Sequence, residues 1–247
     1  EILIGLVGSE MCIRDRFLDY PEPFVPRYLT LPVKERINSE GGIDTPLCEE
    51  DVIKQTLKLK EYGVEAICIC FLWSTANPMH EKRAAEIVKE VWPEVTVVTS
   101  CEVNPSSREY RRWVSAAMDA SLRKLISTYA NNLNKRLNKE GFIGKVGMLN
   151  SAGGVMSTAE IVERPLYSVD SGPSMAPVSG RKYAISDLNE KNAVVLDMGG
   201  TTFDVSCVIN GNISVSKEAI IGDEIPGISR VNAVSYTHLT LPTNSRV

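Results

Sequence analysis

A nearly continuous apolar run, residues 64–72, constrains the fold of this chain more than any other stretch of sequence. The run is partly β-branched, which is typical of a parallel strand that is covered on both faces. A helical pattern precedes it at 49–62, with Gly63 placed to end the helix, and a second helical pattern follows at 80–91. Residues 95–99 have the pattern of another strand. Because strand and helix alternate, the sequence predicts α/β packing.

The middle of the chain adds one long helix and several shorter elements. Residues 109–137 repeat apolar side chains every three or four positions, which predicts a helix that buries one stripe. A strand is expected at 146–150, followed by a short helix that Ser157 or Thr158 caps. A further helix is expected at 172–185, after a glycine-proline turn.

The two ends of the chain differ in character from the residues between them. Residues 1–16 and 233–247 do not continue the patterns of their neighbours, and they resemble translated adapter sequence of the kind found at the ends of assembled environmental reads. We therefore expect the natural sequence to run from 17 to 232, and we expect both ends to make few core contacts. Within that span, residues 28–33 predict an edge strand before a turn at 40–42.

Composition argues against several classes of function. The net charge is -4, without a basic stripe, so nucleic acid is not an expected partner. The longest uninterrupted apolar run is 8 residues, against roughly 20 for a membrane-spanning helix, so no membrane segment is expected and the cytoplasm is the default setting. Six scattered cysteines and two histidines lack the spacing of a zinc site. Cys68 and Cys70 share one face of their strand and are expected in the core.

The strongest chemical signal is a glycine turn between two strands. Residues 193–196 form an apolar strand pattern that ends in Asp197, and residues 202–209 form a second one. The Asn210-Gly211 turn leads to a third strand at 213–216, so the segment predicts a β-meander. Glycines let backbone amides approach an anion, and threonine hydroxyls add donors around it. The candidate nucleotide-binding residues of the turn are Gly199, Gly200, Thr201 and Thr202.

Two carboxylates, Asp197 and Asp204, flank this turn. Paired carboxylates beside a phosphate-binding loop can hold Mg²⁺ through water and position the attacking group, which is what phosphoryl transfer chiefly needs. The pattern therefore favours ATP and Mg²⁺ as cofactors, with Asp197 and Asp204 as candidate catalytic and metal-binding groups. The alternative is a plain hairpin whose glycines only make the turn.

The eight residues from Asp197 to Asp204 resemble the phosphate loops of the actin-like ATPase superfamily, which read Asp-x-Gly-x-Thr/Ser-x-x-Asp. More narrowly, the chain resembles the hydantoinase/oxoprolinase family over almost all of residues 21–232. The segments that carry this resemblance are 23–27, 35–36, 63–71, 77–81, 108–112, 150–157 and 171–173. The resemblance implies an actin-like ATPase (ribonuclease H-like) α/β fold, incomplete in this chain, with mixed sheets flanked by helices.

The resemblance also implies domains and an activity. Residues 17–104 are similar to the later part of the family's N-terminal region, and residues 105–232 to the first part of its ATPase region. Family members use ATP to open cyclic amides such as hydantoins and 5-oxoproline by phosphorylating the carbonyl oxygen. That hydrolase activity is the one expected here, and a partner subunit of the hydantoinase B type is implied with it.

Two alternatives to the cyclic amidase stay open. Other family members carboxylate ketones such as acetone and acetophenone, and a few positions at 150–152, 172–178 and 202 are closer to that branch. A non-catalytic ATP-binding module is the second alternative, because actin-like folds also serve as switches and scaffolds.

Two more segments are candidates for the substrate or the cleft. The polar glycine turn after the strand at 146–150 permits close backbone approach, although a simple strand-to-helix turn would read the same way. Its candidate residues are Asn150, Ser151, Gly153 and Gly154. The resemblance suggests a role for Arg108, Glu109 and Arg112 at the start of the long helix, where a solvated helix start is the alternative. His80 is expected to cap a helix or to lie at the surface.

The chain departs from its relatives in one respect. They carry another glycine-rich phosphate motif near the amino terminus and an adenosine-contacting glycine run beyond the second motif, and neither is present here. Because such ATPases close two half-sites around the nucleotide, we expect this chain alone to bind ATP weakly and to hydrolyse none.

Overall fold

The computed structural model describes residues 22–200 and 202–236, which divide into a short unit, 22–31, and a compact unit, 32–236. In the short unit, Arg27–Leu29 forms a 3-10 helix, and the amide of Leu29 donates to the carbonyl of Pro26. The edge strand expected at 28–33 is therefore wrong. Proline favours turns, and Pro26 directly precedes this 3-10 helix.

A small hairpin opens the compact unit. Strands β1 (Arg36–Ile37) and β2 (Ile43–Thr45) pair antiparallel around a turn in which Gly41 has φ +85°. The side-chain oxygen of Asn38 accepts the amides of Glu40 and Gly42, and the side chain of Asn77 donates to the carbonyl of Gly41.

A parallel strand pair forms the centre of the first half, as the apolar run predicts. Strands β3 (Ala66–Ile69) and β4 (Thr96–Thr99) pair in parallel, and helices α1 (Glu49–Glu61) and α2 (Met79–Val91) pack against each other on one side. Ile67 and Ile69 join that side in one apolar cluster, whereas Cys68 and Cys70 face the other cluster. Both faces of β3 are thus covered, and the two cysteines are core residues.

The second face of this strand pair is covered by the long helix. After the short helix α3 (Ser100–Val103), helix α4 runs from Glu109 to Lys139 and contacts both β3 and β4. Its buried stretch lies in the N-terminal half, from Arg112 to Ala120, with Ala130 as a later buried residue. Val114, Met118 and Val98 meet there in the apolar cluster.

Shorter elements connect α4 to the last helix. Strands β5 (Gly147–Leu149) and β6 (Val155–Ser157) form a hairpin, and helix α5 (Thr158–Glu163) follows. Ser157 caps α5 in a reciprocal capping box with Glu160, which confirms one of the two predicted caps. A 3-10 helix at Pro165–Ser168 leads to helix α6 (Ser171–Leu188).

The last part of the chain is antiparallel. Strand β8 (Phe203–Ile209) pairs with β7 (Ala193–Met198) on one side and with β12 (Ala233–Tyr236) on the other, and β9 (Asn212–Ile213) also pairs with β8. Strands β10 (Val215–Ser216) and β11 (Arg230–Val231) form a separate pair.

Strand β12 falls within residues 233–247, for which few core contacts are expected. All four residues 233–236 pair with β8 as an edge strand, and Val234 is 49% exposed, so the expectation of few core contacts stays a prediction. Residues 1–16 lie outside the described part of the chain. Among the described residues, none of the helices has the length and apolar character needed to cross a bilayer.

Candidate functional site

The hairpin of β7 and β8 places its two aspartates directly opposite each other. Asp197 and Asp204 are Cα partners in the antiparallel register, so their side chains lie on the same face of the sheet. The two differ in environment, because Asp197 is exposed whereas Asp204 is only 6% exposed. The hydroxyl of Thr202 donates to Oδ2 of Asp204 at 3.2 Å.

The glycines at the end of this hairpin leave open space beside the backbone. The amide of Gly199 donates to the carbonyl of Thr202 at 2.9 Å, and this bond closes the end of the strand pair. A side chain at Gly200 would meet no atom within 4 Å, and one at Gly199 would meet only Thr202. Another molecule could therefore approach the backbone here, as the anion-binding prediction requires. Thr201 lies outside the described residues.

Helix α6 covers the face of the sheet on which the aspartates lie. A Cβ added at Gly180 would come 2.3 Å from Cγ2 of Val195, so this glycine lets the helix approach β7 closely. Val195 and Asp197 are two residues apart in β7 and share a face. Because only residues 189–192 connect α6 to β7, the two run in opposite directions, and the N-terminus of α6 lies at the same end as Asp197.

The predicted polar turn at 150–154 is braced against the same helix. The side-chain oxygen of Asn150 accepts the amides of Ala152 and Gly154, and its carbonyl accepts the hydroxyl of Ser174 in α6 at 2.9 Å. Gly153 has φ +81°, and an added Cβ there would lie 3.0 Å from Val178. The structure thus joins this turn to α6, which in turn packs on the hairpin.

Ser151 is held in this turn by its backbone. Its amide donates to the carbonyl of Tyr167, and its carbonyl accepts from Val231. The side chain is 1% exposed, and its hydroxyl is one of three buried side-chain polar atoms without a hydrogen-bond partner among the described residues. The turn connects two strands, β5 and β6, rather than a strand and a helix, and its role at the substrate or the cleft stays a prediction.

The three candidates at the start of α4 separate in the structure. Arg108 and Glu109 are exposed, so their predicted role in the cleft remains a prediction. Arg112 is 1% exposed, and its guanidinium donates to Ser100 Oγ, to the Ser106 carbonyl and to the Phe71 carbonyl. Arg112 therefore does not share a surface with Arg108, because the helix turns it into the core.

The partner of Arg112 in this interior is Glu81, which sequence reasoning missed. Glu81 is 0% exposed, and its carboxylate accepts from the Phe71 amide, the Ser100 hydroxyl and the Cys101 amide. The Ser100 hydroxyl thus donates to Glu81 and accepts from Arg112, which links the two opposite charges. We call Phe71, Glu81, Ser100 and Arg112 the buried charge network.

Cysteine chemistry near this network is suppressed. Burial and the charge of Glu81 raise the pKa of the Cys101 thiol to about 12. The pKa of Cys70 is also raised well above its ordinary value, chiefly by its hydrogen bond with Cys68 and by burial. No group of three or more histidine, cysteine or acidic side chains suited to a metal ion occurs among the described residues.

Two contacts that were not predicted lie elsewhere in the fold. His80 is 5% exposed, and its Nδ1 lies 2.8 Å from Glu35 Oε2, so the expected surface or capping role is wrong. Asp170, directly before α6, has φ +54° and pairs with Arg230 of β11. Neither leaves a local sequence signal, because 45 and 60 residues separate the partners.

Two open surface cavities, about 410 and 530 Å³, are lined by residues around α1 and α2. Neither includes a predicted site residue. The aspartates of the hairpin are therefore not part of either cavity.

Comparison with known proteins identifies relatives over most of the chain. The family model for hydantoinase/oxoprolinase matches residues 112–242, and the model for the hydantoinase/oxoprolinase N-terminal region matches residues 9–92. The acetophenone carboxylase gamma subunit of Aromatoleum aromaticum is 36% identical over 198 residues, which cover 78% of this chain and 27% of that protein.

Two solved structures also match most of the chain. The ATP-dependent caprolactamase from Pseudomonas jessenii matches with a TM-score of 0.80 and 30% identity, over 88% of this chain and 32% of that one. The nucleotide-free structure of acetone carboxylase, an enzyme of ATP-dependent acetone carboxylation, matches with a TM-score of 0.77 and 26% identity, over 92% and 32%. The chain thus spans less than a third of each of these relatives.

Proposed function

The chain belongs to the hydantoinase/oxoprolinase family, and on that premise we propose that it is part of an ATP-dependent enzyme that opens cyclic amides. The observation that carries this proposal is the pair of aspartates that face each other beside the open glycine turn. The fold that we propose for the complete protein is that of the actin-like ATPases. In it, this chain supplies one of the two halves that close around the nucleotide.

The donor set fits Mg²⁺. Magnesium usually keeps several waters and takes only one or two carboxylates together with substrate phosphates, so it needs no larger cluster of protein ligands. Asp197, which is exposed, would reach the hydrated ion. Asp204 would lie beside Asp197, on the neighbouring strand and the same face of the sheet. When bound, the ion neutralises charge on the phosphates.

The remaining residues would orient the phosphates. The backbone at Gly199 and Gly200 is open to approach, and the N-terminus of α6 lies at the same end of the sheet, where its free amides favour an anion. The turn at 150–154 is fixed to α6 and would line the neighbouring part of the cleft.

The reaction requires an activated amide. Amide resonance makes an unstrained ring slow to hydrolyse, and transfer of the γ-phosphoryl group to the carbonyl oxygen removes that resonance. Water then adds at the same carbon, and the ring C–N bond breaks as the nitrogen takes up a proton, which leaves an acyl phosphate. A second water hydrolyses the acyl phosphate to the carboxylate and phosphate. The solved relative described as an ATP-dependent caprolactamase supports a cyclic amide as the substrate.

A ketone carboxylase is the second candidate. The observation that favours it is the 36% identity to the acetophenone carboxylase gamma subunit, together with the structural match to acetone carboxylase. Phosphorylation of an enolate oxygen would use the same aspartates and the same glycine turn. The acetophenone carboxylase relative is described as a gamma subunit. We therefore propose that a partner subunit of the hydantoinase B type completes the enzyme.

The test is substitution of the aspartates in the complete protein with its partner subunit. We expect Asp197→Asn and Asp204→Asn each to lower ATP turnover by orders of magnitude without lowering the melting temperature. Asp187→Asn is the matched control, because Asp187 is exposed in α6 and accepts only a bond from its neighbour Ser186. Normal turnover in either site variant would refute the assignment. Turnover with lactams or with ketones plus bicarbonate then separates the two candidates.

A further inference from the structure

We propose that Thr202 is a positioning residue whose hydroxyl holds the carboxylate of Asp204 in place. This inference rests on the proposed function, in which Asp204 acts beside the transferred phosphoryl group. The glycine-turn pattern by itself predicts a different role, in which the hydroxyl of Thr202 donates to a phosphate oxygen. The contacts of Thr202 decide between the two roles.

Thr202 is fixed at two points. Its carbonyl accepts the amide of Gly199 at 2.9 Å, which fixes its backbone at the hairpin end. Its hydroxyl donates to Oδ2 of Asp204 at 3.2 Å. Thr202 directly precedes β8, and Asp204 shares a face of the sheet with Asp197, so the bond to Asp204 places the Thr202 hydroxyl at that face.

The proton count separates the two roles. A threonine hydroxyl has one hydrogen to donate and two lone pairs to accept with. While that hydrogen bonds the carboxylate, the hydroxyl cannot donate to phosphate as well. Thr202 therefore acts on the reaction through Asp204.

Holding Asp204 matters because of where it lies in the hairpin. The residue is 6% exposed, and its cross-strand partner is the exposed Asp197 next to the glycine turn. A hydroxyl that donates to a carboxylate oxygen restrains the side-chain torsions of the aspartate. Phosphoryl transfer depends on such placement, and a displacement of about 1 Å can cost a factor of roughly 100 in rate.

The experiment compares Thr202→Val, Thr202→Ser and Asp204→Asn, with the double variant, in the complete protein. We expect Thr202→Val, which keeps the shape but loses the hydroxyl, to lower kcat for ATP by about 10- to 100-fold. We expect KM for ATP to stay within about threefold and Thr202→Ser to restore most of the rate. In the Asp204→Asn background, Thr202→Val should cause no further loss, because the two residues act as one unit.

Several results would overturn the inference. A raised KM for ATP with normal kcat would mean that Thr202 binds phosphate directly, and additive losses in the double variant would mean that it acts apart from Asp204. Crystal structures of the wild type and Thr202→Val provide a test that does not depend on activity. We expect the Asp204 carboxylate to rotate in the variant, and an unmoved carboxylate would refute the holding role. Normal turnover in Asp204→Asn would instead refute the proposed function.

Discussion

The buried charge network and the β7–β8 hairpin both gather charged side chains, but they treat charge in opposite ways. In the network, Glu81 and Arg112 are at most 1% exposed, and each accepts or donates three hydrogen bonds from within the protein. In the hairpin, Asp197 is exposed beside glycines with open space around them. A buried charge whose partners the protein supplies makes the fold sensitive to the loss of any one partner, whereas a charge turned to an opening is available to a ligand.

The largest effect is expected from Glu81→Gln, which removes the negative charge from the buried charge network. The new amide would point hydrogens at groups that already donate, and Arg112 would lose its compensating charge. We expect the free energy of unfolding to fall by about 3–5 kcal/mol, measured by denaturant titration. Glu86→Gln, on the solvent side of the same helix, is the control and should leave stability unchanged. A Glu81 variant as stable as the control would show that the network is not structural.

Thiol alkylation compares the two regions chemically. At pH 8 the exposed Cys207 of β8 should react readily with iodoacetamide, whereas Cys101, with its pKa raised to about 12, should react about three orders of magnitude more slowly than a free thiol. The rate at Cys101 should rise with pH, because a higher pKa leaves less thiolate at neutral pH. Peptide mass spectrometry against time measures both sites. Equal rates at pH 8 would contradict the suppressed reactivity of the Cys101 thiol.

Gly180→Ala tests how the hairpin is held under α6. The added methyl would come within 2.3 Å of Val195, and overpacking of this kind costs about 1–3 kcal/mol. Val195→Ala in the same chain should relieve part of the loss, so the double variant should be more stable than additivity predicts. Gly172→Ala, with no atom within 4 Å, is the matched control in the same helix. Thermal unfolding of the four variants would decide the point.

The smallest expected effect is that of Mg-ATP on this chain by itself. With one half-site, we expect a dissociation constant no better than about 1 mM, so 1 mM nucleotide should stabilise the chain by at most about 0.4 kcal/mol. Titration calorimetry and phosphate release would detect more. Micromolar binding, or turnover above background, would mean that the chain completes a site by itself or by dimerising.

Local patterns in the sequence predicted most of the elements. The helices, the parallel strand pair, the Ser157 cap and the hairpin each depend on residues close in sequence, and the structure confirms them. The glycine turn also located the opposed aspartates, because a short turn between two strands fixes their register.

Sequence reasoning failed where partners are distant. Arg112 and His80 appeared to be residues at helix starts, yet both are buried against groups 41 and 45 residues away. Gly180 gave no signal, because close packing of a helix on a strand depends on the residue that it meets. The edge strand at 28–33 failed for a local reason, because the chain turns directly after Pro26 into a 3-10 helix.

The turn at Asn210-Gly211 has a consequence for chemical ageing. Asparagine followed by glycine is prone to deamidation, in which the backbone nitrogen of the glycine attacks the asparagine side chain. Here the backbone nitrogen of Gly211 donates to the carbonyl of Lys191 at 2.7 Å, and the backbone amide of Asn210 donates to the side-chain oxygen of Asn192. The folded turn between β8 and β9 therefore protects the dipeptide, because the nitrogen that would attack is held in a hydrogen bond. Deamidation at Asn210 would then accumulate only in molecules in which this turn has opened. The deamidated fraction would measure how often it opens.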